Sequence, residues 1–76
     1  MKPTSQLAKK VAGEVRAEMA RKSVTVTALA EFMGLHRQTV GRLVNSKQPL
    51  DIDDLVEIGM LLGIDPVTLI QQARTA

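Results

Sequence analysis

Residues 25–45 read TVTALAEFMGLHRQTVGRLVN. Thr25 is a good helix N-cap, because its hydroxyl can accept from a backbone N–H of the first turn. Leu29 and Met33 follow one turn apart, and Gly34 supplies a stop able to take positive φ. A second short helix then starts behind His36, a weaker N-cap than Ser or Asp, and carries Val40 and Leu43. The pattern predicts helices over 26–33 and about 37–45, joined by Gly34, Leu35 and His36. That is helix-turn-helix spacing, here about 26–45. Leu29, Met33, Val40 and Leu43 are expected to point inward and Leu35 to plug the turn. Ala30 is small where two helices must cross closely. Arg37, Gln38, Thr39, Gly41 and Arg42 are left facing outward.

Helical patterns extend to both sides. From about Thr4 to Arg21, Leu7, Val11, Val15 and Met19 recur every four residues, while Lys9, Lys10, Glu14, Arg16 and Glu18 mostly occupy the other faces. Gly13 inside this helix costs about 1 kcal/mol relative to alanine, so a close packing contact is expected there. A fourth helix starts at Asp51, with Asp54 completing a capping box, and its apolar positions are Ile52, Leu55, Val56, Ile58, Gly59 and Leu62. Gly63 closes it. A fifth opens with Asp65 as N-cap and Pro66 at the first helical position, and Val67, Leu69 and Ile70 carry its apolar side. The alternating SVTVT at 23–27 is too short for a strand and has no partner. An all-α, compact five-helix domain spanning 1–76 is therefore expected, with no linker or repeat. Phe32 is the one aromatic residue, so the core must be aliphatic.

At 76 residues the chain fits one domain that can form a core without metal or disulfide support. It has no cysteine, which excludes thiol redox chemistry and cysteine-held metal. A single His and no Cys make no zinc site, so neither a metal nor another cofactor is expected. No apolar run approaches the roughly 18–20 residues that span a bilayer, and MKPTSQLAKK lacks the apolar core of a signal peptide. The expectation is a cytoplasmic protein in a bacterial cell, with no membrane and no small-molecule substrate as partner. The net charge of +2 conceals an asymmetry: residues 1–50 carry +6 and residues 51–76 carry −4. Charge alone fits either a polyanion-binding face or two ordinarily solvated surfaces.

The exposed side of the second helix of the pair resolves that choice. In a helix-turn-helix this helix enters the major groove, and its first turn lies nearest the base edges. Arg donates twice to guanine O6 and N7, Gln pairs with adenine, and Thr hydrogen-bonds or touches a thymine methyl. Arg37, Gln38, Thr39 and Arg42 are the candidate base contacts, with Gly41 allowing close approach. His36, Asn45 and Lys47 are candidate phosphate contacts. Lys2, Lys9 and Lys10 fit either phosphate contact or plain solvation.

Residues 24–70, well over half of the chain, resemble the Cro and repressor class of helix-turn-helix domains from lambdoid phages, the XRE-like family. The residues carrying the resemblance are Leu29, Ala30, Gly34, Asn45, Ser46, Leu55, Ile58, Gly59, Leu62, Asp65 and Pro66. It implies a lambda-repressor-like fold, base reading by Arg37, Gln38 and Arg42, and Asn45 near the phosphates. The chain departs from the family at Val26, where many phage members carry a Gln that touches phosphate. Thr25 or Thr27 would have to supply that contact.

The resemblance implies a sequence-specific regulator of transcription acting at a double-stranded operator, with a phage or prophage Cro-like protein or repressor as the leading version. An antitoxin-type interaction module that also binds its own operator is the alternative. A long toxin-neutralising extension would favour it, and about six residues follow Ile70. An enzyme is not expected, for lack of a paired nucleophile and base, a phosphate loop or a metal cluster. Such proteins work as two-fold homodimers on near-palindromic sites, at least on DNA. Val67, Leu69 and Ile70 of the fifth helix are the candidate dimer surface.

Overall fold

The computed structural model describes residues 5–76. It contains α1 (Gln6–Lys22), α2 (Val26–Met33), α3 (Arg37–Val44), α4 (Ile52–Leu62) and α5 (Pro66–Thr75), with no strand among the described residues. Lys2 and Thr4 lie outside the described residues. The starts obey local chemistry. Ser5, Thr25, Asp51 and Asp65 each accept a first-turn N–H, at 3.1, 3.0, 2.7 and 2.7 Å. Asp54 returns the favour to Asp51 N–H at 3.2 Å, closing the capping box. Burial pushes the Asp54 carboxyl up, the Asp51 N–H opposes that, and the neighbouring Asp51 carboxylate adds to it.

Four of the helices end in the same way. Ser23, Gly34, Ser46 and Gly63 take positive φ, and the residue after each donates back across the last turn. This closure satisfies carbonyls that a helix end would otherwise leave orphaned. Gly adopts that conformation without strain, whereas Ser23 and Ser46 adopt it at some conformational cost.

One aliphatic core joins all five helices, with Val15, Leu29, Val40, Leu43, Ile58 and Leu69 fully buried at its centre. Ala30 is buried where α2 meets its neighbours. Phe32 is exposed, so the core is aliphatic throughout. Several apolar expectations are corrected. Leu7, Ile52 and Val56 are exposed rather than core. Leu7 lies in the first turn of α1, at the end of a stripe whose later members Val11, Val15 and Met19 are buried. Ile52 and Val56 belong to an apolar arc on α4 too wide to face one neighbour. Leu35 is 40% exposed and does not plug the turn. The turn is closed by backbone, with Leu35 N–H donating to the Ala30 carbonyl at 3.0 Å. Gly13 makes no close packing contact: a Cβ there would meet only Arg16 Nη2, at 3.5 Å. The crowded glycine is Gly59, where a Cβ would lie 2.6 Å from the Ile64 carbonyl oxygen and 3.3 Å from Pro66.

Glu18, expected on an outer face of α1, is buried. Arg21 Nε donates to its Oε1 at 3.2 Å, and Lys22 Nζ lies 3.0 Å from its Oε2. The Arg21 hydrogen bonds, then that of Lys22, hold its carboxyl below the usual range. Lys22 Nζ also donates to the Leu62 carbonyl at 2.6 Å, and Arg16 Nη1 donates to the Val44 carbonyl. Two cations of α1 thus cap the C-terminal ends of α4 and α3, where the helix dipole favours positive charge.

Candidate nucleic-acid interface

α3 is amphipathic in a way that leaves little freedom in its orientation. Val40, Leu43 and Val44 are buried, and the helix packs on both α2 and α1. The opposite side then carries Arg37, Gln38 and Arg42, all exposed, with Thr39 and Gly41 half-buried. A Cβ at Gly41 would meet nothing within 4 Å, so the glycine opens space on this side. Gln38, Gly41, Arg42, Asn45 and Lys47 line one open depression. The structure therefore brings Gln38 and Arg42 together with Asn45 and Lys47. Arg37 stands exposed at the start of the same helix.

Each candidate has a distinct environment. Arg42 is held at both sides: its Nε donates to Gln48 Oε1 at 3.1 Å, and its Nη2 lies 3.4 Å from Thr39 Oγ1. Asn45 donates from Nδ2 to the Gly41 carbonyl at 2.8 Å, so one amide proton already caps the end of α3 and the second Nδ2 proton is left to donate outward. His36 precedes α3 without making a side-chain cap bond. Its ring is exposed, and so is Lys47. Thr25 uses its Oγ1 to cap α2, accepting from Ala28 N–H, which leaves its hydroxyl proton free to donate. Thr27 is exposed on the first turn of α2.

Not all of the basic surplus of residues 1–50 is available to a polyanion. Arg16, Arg21 and Lys22 are engaged within the fold, as described above. Among the described residues of 1–50, Lys9, Lys10, Arg37, Arg42 and Lys47 are the exposed basic residues outside those contacts. The acids of the C-terminal part lie on α4 and at the N-caps of α4 and α5, and none of them lines the depression on α3.

Among the proposed dimer residues, Leu69 is corrected outright: it is fully buried in the domain's own core. Ile70 is half-buried and packs against that core, and Val67 is 58% exposed. Gln48, which sequence reasoning did not single out, is the Arg42 partner. No periodicity or motif marks it, because its position depends on how the chain turns after α3.

Among the described residues no helix is long and apolar enough to cross a membrane, and no group of three or more His, Asp or Glu could hold a metal ion. Residues 14–71 match the family model of the Cro/C1-type HTH DNA-binding domain. No curated protein and no solved structure matches the chain significantly.

Proposed function

Because the chain belongs to the Cro/C1-type HTH DNA-binding domain family, we propose that it is a sequence-specific regulator of transcription. In this reading residues 1–76 act as one DNA-binding unit on a double-stranded operator, as a Cro-like protein or repressor of a phage or prophage in the bacterial cytoplasm. The observation that carries it is the exposed side of α3, whose Arg37, Gln38 and Arg42 are presented outward by a buried Val40, Leu43 and Val44. Arg37, Gln38, Thr39 and Arg42 read base edges. Thr25, Thr27, His36, Asn45 and Lys47 hold phosphates and set the register.

Selection of bound duplexes from a random pool tests this directly, since it yields both a motif and its half-site symmetry. Affinity should also fall steeply with salt. A monomer that touches about three to five phosphates gives a log–log slope of about −3 to −5, and a dimer about twice that. A slope near zero, or a pool that never enriches, rejects the reading.

The dimer contact belongs to the same proposal. Val67 and Ile70 lie one turn apart on α5, and Ile52, Val56 and Met60 form an exposed apolar row on α4 at i, i+4 spacing. Leu7, Ile52 and Ile70 line one apolar groove. More apolar surface is exposed there than the core needs, and a two-fold partner would cover it. Val67→Lys places a charge opposite its own copy. It is expected to weaken binding to a full palindromic site much more than to a half-site, with the melting temperature unchanged. Equal titrations of both sites by mutant and wild type would remove α5 from the contact.

A further inference from the structure

α3 ends in a closed turn that depends on Ser46. With φ at 62°, Ser46 donates its N–H to the Leu43 carbonyl at 3.4 Å, and Lys47 donates to the Arg42 carbonyl at 2.8 Å. This paired closure reverses the chain against the last turn of the helix. Lys47 and Gln48 therefore run back beside residues they would otherwise leave behind. Pro49 follows and restricts the backbone of Gln48 to extended conformations. Gln48 is half-buried, and its side chain ends on Arg42.

The consequence for Arg42 follows from its inventory of donors. A guanidinium has five N–H groups in a rigid fork. The Nε proton goes to Gln48 at 3.1 Å, and one Nη2 proton goes to Thr39 at 3.4 Å. The remaining protons sit on Nη1 and Nη2 at the outer end of the fork, the pair that meets guanine O6 and N7 together. Arg42 is nevertheless exposed and lines the depression on α3. Gln48 is also neutral. It holds the cation without cancelling the charge that DNA would meet, which a carboxylate in its place would do.

We infer that Gln48 is a positioning residue for base readout, fixing the guanidinium of Arg42 end-on toward the groove; this rests on the DNA-reading function proposed above. An unbraced arginine can swing to a nearby phosphate when the wrong base is present, which blunts discrimination. A braced one loses less freedom on binding and leaves its donors unpaired against a mismatched base. Gln48 thus acts on specificity through Arg42 and touches no base itself.

The test is a double-mutant cycle on the duplex selected from a random pool and on duplexes changed at each position, at one salt concentration. Gln48→Ala should lower preference at the base pair that also responds to Arg42→Ala, by about two- to tenfold. Its affinity for random DNA and its salt slope should match wild type. In the Arg42→Ala background the same change should add less than about a twofold effect. Gln48→Glu keeps the acceptor, and should retain the base preference while binding every sequence more weakly. Gln48→Met, which keeps the length and loses the acceptor, replaces the alanine variant if that one melts early.

Equal losses with and without Arg42 would overturn the inference, because Gln48 would then act on its own. Unchanged preference in Gln48→Ala and Gln48→Met would also overturn it, as would an equal loss on random DNA. Wild-type protein that shows no sequence preference removes the DNA-reading premise before any variant is compared, and the inference falls with it.

Discussion

Alanine at Arg37 or at Gln38 is expected to erase most of the preference for the selected site, each at a cost of about 1–3 kcal/mol there. Both side chains are exposed in the first turn of α3, the part of a groove-inserted helix that comes nearest the base edges. Neither is engaged by a hydrogen bond within the described residues that would hold it back. Their loss removes donors that only the correct base pairs satisfy, so binding to random DNA should fall far less. Titration of preferred and random duplexes at matched salt separates the cases. Equal losses on both would reassign the two residues to phosphate contact, and the sequence preference would have to come from Arg42 and Thr39.

Gly59→Ala should be the most damaging small substitution in the domain. The added methyl would lie 2.6 Å from the Ile64 carbonyl oxygen, a backbone atom, and 3.3 Å from two carbons of the Pro66 ring. Ile64 cannot move away cheaply, because its own N–H donates to the Gly59 carbonyl at 3.0 Å and Gly63 already closes the helix with φ at 69°. The expected cost is about 1–3 kcal/mol of stability, the usual range for overpacking. For a domain of this size each kcal/mol is about 4–8 °C in melting temperature. Gly13→Ala is the control. It sits in α1 with only the tip of Arg16 nearby, and should stabilise by about 0.5–1 kcal/mol through helix propensity. A chemical or thermal melt of the two variants decides the matter. Similar effects of the two substitutions would mean that the α4–α5 corner yields more readily than its backbone contacts imply.

The contrast between these two glycines shows where sequence reading succeeds and where it stops. Both are glycines inside helical patterns, and nothing in the residues around them tells which is crowded. Propensity drew attention to Gly13, but the crowding is at Gly59, because only the turn at Gly63 folds Ile64 and Pro66 back onto α4.

Local chemistry by itself determined most of the element boundaries, and with them the fold class. The exceptions are the start of α1 behind Ser5 rather than at about Thr4, and the ends of α1 and α3, where Ser23 and Ser46 rather than glycines take the left-handed conformation. Thr25, Asp51 and Asp65 announce helix starts, Gly34 and Gly63 announce stops, and Pro66 fits only a first turn. These signals act within four residues, so they survive in the sequence. The inward positions Leu29, Ala30, Met33, Val40 and Leu43 were legible for the same reason, since periodicity reports which side of a short helix is apolar. The outward row on α3 followed as the remainder.

What only the tertiary structure decided is how far each apolar arc is covered and which polar groups meet. Ile52 and Val56 share a helix with Leu55 and Ile58, yet stay exposed because the neighbouring helices do not extend over them. Leu69 reads as one of three equivalent apolar residues, but α1 and α4 enclose it and leave Val67 outside. Arg16 and Lys22 look like free positive charge until the packing of α1 brings them to the ends of α3 and α4. Gln48 meets Arg42 because Ser46 turns the chain back. These contacts join residues through the path of the backbone rather than through spacing, and pairings of that kind form only once the helices have chosen their neighbours.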